Sequence, residues 1–232
     1  MNLKRTALYP CSYLKNKVAK AEIIETTSSC SEKNFTQLMK NGYRRSGKYT
    51  YKPICENCSS CVPIRIPVND FQPNKTQKRT LKKGEKLLTS VKKSLMFNKK
   101  EFSLFSKYQK NRHAVTFNEY DVENTYKNFL LKSCIETELI TFFDTEKKTK
   151  IVSVVDPLCD GLSAVYTFYD PSDKKNSLGT YAILWQIEEC KRRNKKFLYL
   201  GYLVQECSNM VYKKNFKPYD IFINNKWTRV YD

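Results

Sequence analysis

Histidine is nearly missing from this chain: of its 232 residues, only His113 is one. A two-histidine metal site and a carboxylate–histidine–zinc arrangement are therefore excluded. His113 itself, beside Arg112, reads as a histidine hydrogen-bonded at a helix end. Long apolar runs are missing too. Segments such as Ile151 to Val155 are far too short to cross a bilayer, so no membrane partner is expected. Met1 is followed by Asn2, Leu3, Lys4 and Arg5 without an apolar signal core, which makes the cytoplasm the expected setting. In that setting the nine cysteines read as reduced thiols or metal ligands sooner than as disulfides. Neither an internal repeat nor a low-complexity linker is present.

Arginine is scarce as well, with nine positions against 33 lysines. Generic charge is carried by Lys, so the Arg positions are the informative ones. Arg44, Arg45, Arg65 and Arg79 fall close together. A planar guanidinium grips carboxylate or phosphate through two parallel bonds, which Lys cannot do. This stretch is the first candidate for an anion-reading surface; the other reading is salt bridges within the protein.

What the chain has in excess is positive charge: 42 Lys and Arg against 23 Asp and Glu, a formal +19. Lys75, Lys78, Arg79, Lys82, Lys83 and Lys86 recur at steps of three and one, which places all six on one face of an α-helix. Charges this dense repel, and a polyanion such as nucleic acid relieves the repulsion. A merely solvated Lys-rich helix is the alternative. Hydrophobic content of 41% with 13% aromatic belongs to a folded chain able to bury a core.

The first 70 residues form a small unit of their own. Ser31 caps a short helix with Phe35, Leu38 and Met39 inward, and Asn41-Gly42 ends it. Tyr43 to Tyr51 alternates like a strand or hairpin. Pro53, Pro63, Pro67 and Pro73 then punctuate an irregular, cysteine-bearing segment. The basic helix spans about Asn74 to Leu88, with helices near Glu101 to Asn111 and Asp121 to Cys134 after it. Leu139 to Asp144, Ile151 to Val155 and Leu162 to Tyr169 switch to a strand period. A helix at Leu178 to Arg193, a strand at Phe197 to Val204 and a last strand at Asp220 to Ile223 follow. Three meandering strands, a helix and a returning strand are the core order of the acetyltransferase (GNAT) fold. The expected class is α+β: a cysteine-bearing N-terminal domain, 1–72, then the basic helix with a GNAT-like α/β domain, 73–232.

Cys55-Glu56-Asn57-Cys58-Ser59-Ser60-Cys61 is a C-x2-C-x2-C run. Thiolates so spaced converge on a zinc ion or an iron–sulfur cluster, with Cys11 as the obvious fourth ligand; the alternative is a set of reduced thiols packed in a small domain. Gly179 opens a helix whose free N–H groups suit phosphate. Acetyltransferases hold the coenzyme A pyrophosphate at this place with two or more glycines. Lys175-Asn176-Ser177-Leu178-Gly179-Thr180 has one, which disfavours coenzyme A.

Together these segments resemble the arginyl-tRNA–protein transferases, and within them the short bacterial branch that transfers leucine. The resemblance is carried by Cys11-Ser12-Tyr13-Leu14, Gly42-Tyr43-Arg44-Arg45-Ser46-Gly47, Tyr51-Lys52-Pro53 and Cys58-x-x-Cys61-Val62-Pro63-Ile64-Arg65. It continues in Asp160 to Pro171, Ser177-Leu178-Gly179-Thr180-Tyr181 and Tyr199-Leu200-Gly201-Tyr202. The eukaryotic branch has adjacent cysteines where this chain reads Cys61-Val62. The resemblance implies transfer of leucine from leucyl-tRNA to the N-terminal α-amine of acceptor proteins beginning with Asp or Glu, which marks them for degradation. An aminoacyl ester is already activated, so no cofactor is required for catalysis. Arg44, Arg45 and Arg65 are then the expected readers of the acidic acceptor. The helix from Lys75 to Lys86 is the tRNA footprint, and N–H groups near Gly179 and Thr180 hold the tRNA terminus. Asp170 is the expected proton acceptor, with Tyr166 and Tyr169 shaping its pocket. Three rivals remain: arginyl transfer, N-acetylation on the same fold, and non-catalytic RNA binding.

Overall fold

The computed structural model describes residues 3–26, 30–113 and 119–231. Of Arg112 and His113 only the helical backbone is included, so the reading of the His113 side chain lies outside the described residues. The chain begins with β1 (Leu3–Arg5), β2 (Tyr9–Pro10), β3 (Val18–Ala19) and β4 (Ala21–Glu25). Helix α1 (Glu32–Lys40) follows. Ser31 caps it by accepting from the N–H of Asn34, Phe35 and Met39 turn inward, and Gly42 ends it at φ +86. The expected hairpin is β5 (Arg44–Ser46) with β6 (Tyr49–Pro53), and the four-stranded sheet runs β1-β4-β6-β5.

The next strand, β7 (Val62–Pro67), lies where the prolines suggested irregular chain. It joins the larger sheet, so the division expected at residue 72 does not follow the sheets. Proline is normally kept off interior strands because it donates no ladder hydrogen bond. Here the second neighbour of β7 pairs only with Ile64 and Arg65, so Pro63 and Pro67 owe no donor on that side.

Helix α2 (Lys75–Leu87) is closed at its start by a reciprocal capping box between Asn74 and Gln77. Then come β8 (Thr89–Lys93), α3 (Lys99–His113) and α4 (Glu119–Thr125), the last continued by a π-helical turn at Tyr126–Leu131. The expected meander is β9 (Glu138–Phe143), β10 (Thr149–Pro157) and β11 (Gly161–Tyr169). Helix α5 (Leu178–Arg192) leads to β12 (Phe197–Leu203), a 3₁₀ turn at Val211–Asn215, β13 (Tyr219–Ile223) and β14 (Lys226–Val230). The eight-stranded sheet runs β14-β13-β7-β12-β11-β10-β9-β8, and β11 with β12 is its parallel pair.

Alternation along the central strands explains why both faces of this sheet are covered. Ile140, Ile151, Val155 and Leu162 pack under α5 with Tyr181, Ala182 and Trp185. Leu139, Val152, Val154 and Phe168 pack under α3 and the π turn with Phe102, Phe105 and Tyr126. A third cluster, Phe35 and Met39 with Leu158 and Tyr199, fastens α1 to the same sheet. No helix among the described residues is long and apolar enough to cross a membrane.

Helix α2 reaches α5 through Gly84, where a Cβ would stand 2.2 Å from the Tyr181 ring. The basic ridge is thus held in place by a glycine that lets an aromatic ring touch the helix backbone. Gly84→Ala forces the ring or the helix to move and lowers unfolding stability by about 1–3 kcal/mol, measured by urea denaturation.

Candidate active site

Strands β11 and β12 pair only at Gly161–Phe197, Leu162–Leu198 and Ser163–Tyr199. Beyond these pairs each follows its other neighbour. β11 keeps register with β10 through a shift that skips Val165, and β12 keeps register with β7 through one that skips Leu200. Bulges of this kind bend strands, and two on facing strands open a split in the sheet.

Arg44 of β5 fills the throat of this split. Its Nη1 donates to Ser163 Oγ at 3.2 Å and its Nη2 to the Ala164 carbonyl at 2.5 Å. Across the split lies Gly201 at φ +83, where a Cβ would come within 2.9 Å of Arg44 Nε. Glycine is required there twice, by the backbone and by the guanidinium. Arg44 is 9% exposed, yet among the described residues no carboxylate pairs with it. Nearby, Lys213 Nζ donates to the Tyr202 carbonyl at 2.5 Å. Burial, and then the charge of Arg44, push the Lys213 ammonium down to about 7.

Arg45 and Arg65 have other work. Arg45 grips Asp156 with Nε at 2.8 Å and Nη2 at 3.0 Å, both side chains fully buried, and its Nη1 donates to the carbonyls of Gly47 and Lys132. Arg65 donates to Asp220 at 3.0 Å and to the Tyr199 hydroxyl, flat against Phe197 and Trp227. Both are neutralised by carboxylates of this chain, so the geometry gives them a tying role and leaves Arg44, of the three, without a carboxylate partner among the described residues.

The N-terminus of α5 is uncapped by any side chain: Ser177 adopts φ 49 and its hydroxyl makes no cap bond. Gly179 lies under the Tyr169 ring, which a Cβ would approach to 2.9 Å. Tyr169, Gly179 and the adjoining Thr180 are therefore brought together. Tyr166 sits farther back, its hydroxyl accepting from Gln109, in an aromatic group with Phe105, Tyr108 and Phe129. Beside the helix start is a cavity of about 160 Å³ lined by Lys83, Asp144, Lys150, Asp173, Asn176 and Leu178 among others. All six ridge residues of α2 are exposed, and Lys83 carries the ridge to this cavity.

Asp170 does not suit the role expected of it. It accepts from Lys150 at 2.8 Å, from Lys107 at 2.9 Å, and from the N–H and hydroxyl of Ser172. Burial acts to raise its pKa, but the hydrogen bonds from Lys150, Ser172 and Lys107 outweigh that and hold the carboxyl well below the usual range. A carboxylate so acidic is a weak proton acceptor. It fixes the loop after β11 instead.

The four cysteines expected to converge do line one cavity, of about 210 Å³, with Tyr9, Tyr13, Tyr51 and Val204. Cys11 Sγ accepts the N–H groups of Tyr13 and Leu14. Hydrogen bonds from Ser60 lower the Cys58 thiol, while burial and then the facing Cys11, Cys55 and Cys58 push Cys61 up to about 12. Among the described residues no three donors stand close enough to share an ion. The donor set, four sulfurs with N–H groups aimed at one of them, fits a soft metal in composition.

Asp170→Asn keeps the shape of the side chain and removes its charge. A depressed folded-state pKa contributes stability above the ordinary value of 3.8 and loses it as pH falls below that value. The variant is therefore less stable than the parent near neutral pH, and the deficit narrows below 3.8. Denaturant melts at both ends of that range measure it, and a deficit independent of pH would refute the assignment.

The family model described as "Arginine-tRNA-protein transferase, N terminus" matches residues 9–79, and the one described as "Arginine-tRNA-protein transferase, C terminus" matches 100–223. A protein of Chromobacterium violaceum named "Aspartate/glutamate leucyltransferase" is 39% identical over 222 residues, covering 96% of this chain and 91% of the relative. One of the same name from Thiobacillus denitrificans is 40% identical, covering 96% and 92%. Among solved structures, L-PGS from Bacillus licheniformis overlaps 62% of this chain and 47% of that chain with a TM-score of 0.46 and 11% identity, an overlap too loose to carry an argument. Matched at both ends by the family models and by relatives along nearly its whole length, the chain belongs to the arginine-tRNA-protein transferase family.

Proposed function

We propose that this chain transfers leucine from leucyl-tRNA to the N-terminal α-amine of proteins beginning with Asp or Glu, in the cytoplasm, and so marks them for degradation. The observation that carries the reading is Arg44: an enclosed guanidinium without a carboxylate, set in a split between two strands. Burying an unneutralised charge is costly, and an arriving acidic side chain would offset that cost with a bidentate pair. Relatives 38–40% identical to this chain and named aspartate/glutamate leucyltransferase support the leucyl donor.

The chemistry needs alignment more than activation. The donor ester is reactive already, so the enzyme gains most by bringing amine and ester together. The exposed ridge from Lys75 to Lys86 attracts the tRNA, and Lys83 leads toward the cavity at the start of α5. The N–H groups near Gly179 and Thr180, at the N-terminus of α5, would receive the 3′ terminus. Tyr166 and Tyr169 form the apolar wall on the α3 side. Cys11, Cys55, Cys58 and Cys61 would hold a structural zinc or cluster that ties the N-terminal loops together.

Purified protein incubated with a peptide beginning with Glu and with labelled leucyl-tRNA passes label to the peptide; changing that Glu to Lys abolishes transfer. Label arriving from arginyl-tRNA alone would overturn the donor, and acetylation from acetyl-coenzyme A alone would overturn the reading. Replacing Lys78, Arg79, Lys82 and Lys83 by Ala flattens the salt dependence of tRNA binding by about 0.9 per lost phosphate contact; an unchanged slope means the helix is only solvated. Elemental analysis finds about one metal site per chain, absent once Cys58 and Cys61 are Ser.

A further inference from the structure

An amine attacking an ester must give up a proton, and Asp170 is too acidic to take it. Lys213 lies at the other end of the split. Its backbone is set by the 3₁₀ turn, with its own N–H on the Met210 carbonyl and the N–H of Phe216 on its carbonyl. The side chain turns under the end of β12, where Nζ meets the Tyr202 carbonyl at 2.5 Å. Tyr202 is immobilised in turn, its hydroxyl donating to the carbonyls of Gly42 at 2.8 Å and Tyr51 at 3.2 Å. Gly201, the neighbour of Tyr202, is the residue that lies against Arg44. Lys213 is 7% exposed. The charged and titratable groups that face Nζ are Arg44 of β5 and Cys207 of the loop after β12. Among the described residues no carboxylate pairs with it, and the support that the Tyr202 carbonyl and Cys207 give its charged form is outweighed by burial and by Arg44.

We propose that Lys213, beside Arg44 at the parted ends of β11 and β12, takes the proton of the incoming α-amine during aminoacyl transfer. This rests on the transfer reading above and names the proton acceptor of that reaction. The amine nitrogen attacks the ester carbonyl carbon, a C–N bond forms, and the amine proton passes to Nζ. The C–O bond to the tRNA ribose then breaks, and Nζ returns the proton to the leaving oxygen. The products are an amide and a free ribose hydroxyl, with Lys213 as it began. A buried lysine titrating at about 7 is matched to this task, because a proton acceptor works best when its pKa lies near the working pH. Arg44 has a part in it: its positive charge opposes protonation of Nζ, and among the described residues it carries no carboxylate partner of its own.

Single-turnover transfer of leucine from leucyl-tRNA to a Glu peptide, followed across pH, tests the assignment. Two groups must lose a proton in the parent protein, Lys213 and the peptide amine, whose own pKa is about 8. The logarithm of the rate therefore climbs with a slope of about two at low pH. Lys213→Met keeps the volume and removes the base. It lowers the rate near neutral pH by about 10²–10⁴-fold and reduces the slope to about one, while leucyl-tRNA affinity and the unfolding midpoint stay near the parent's. Lys213→Arg, charged but unable to accept a proton, shows the same loss. A variant with the parent's rate and slope would overturn the proposal. Should neither variant fold, the parent alone decides, because a slope of one excludes a second proton acceptor. A parent that transfers nothing at any pH sinks the transfer reading itself, a result distinct from an active parent with a slope of one.

Discussion

A guanidinium wedged between two parting strands is the interaction on which the rest of this structure turns. Arg44 occupies the place where β11 and β12 would otherwise continue their ladder, and it takes the Ala164 carbonyl that the ladder leaves open. Because Arg44 belongs to β5, the small N-terminal sheet cannot be separated from the split. The Arg45–Asp156 pair, one residue further along, fastens the same strand to β10 with both partners out of water. Removing one member of such a pair leaves a buried charge without compensation, which makes the docking of the two sheets an electrostatic lock as much as an apolar contact.

The cations are graded by depth. Those of α2 are exposed and, among the described residues, without a carboxylate partner, suited to a diffuse, salt-screened attraction for a polyanion. Lys107 and Lys150 are spent on Asp170, Arg45 on Asp156, and Arg65 on Asp220. Arg44 and Lys213 are enclosed and lack such partners. In a low-dielectric site, charges of one sign without neutralisation act strongly on whatever enters. The two meet that condition differently. Arg44 stays charged because a guanidinium does not release its proton, and Lys213 yields because an ammonium can.

Much of the scaffold was legible. The cap at Ser31, the hairpin at Tyr43 to Tyr51, the three-strand meander and α5 all follow from local turn chemistry and hydrophobic period. Strand β7 was not legible, because its prolines speak against an interior strand and only the short pairing with β13 makes them tolerable. The helix expected to run from Asp121 to Cys134 instead ends in a π turn at Leu131. The roles of Gly84 and Gly201 were not legible either, since what each accommodates, the Tyr181 ring and the Arg44 guanidinium, comes from a distant part of the chain.

For the site itself, the sequence selected residue types and left their roles open. It marked Arg44, Arg45 and Arg65 as alike; the fold distinguishes them by whether Asp156, Asp220 or no carboxylate lies opposite. It favoured Asp170 as a proton acceptor, where hydrogen bonds from Lys150, Lys107 and Ser172 make it a poor one. Lys213 is one lysine among 33, with nothing in its neighbours to single it out. Local spacing determined the helices, the strands, the cationic ridge and the cysteine run, because these depend on residues close together in the chain. Which charges are neutralised and which stay free was decided by tertiary structure alone, because desolvation and pairing depend on groups that folding brings together from far apart.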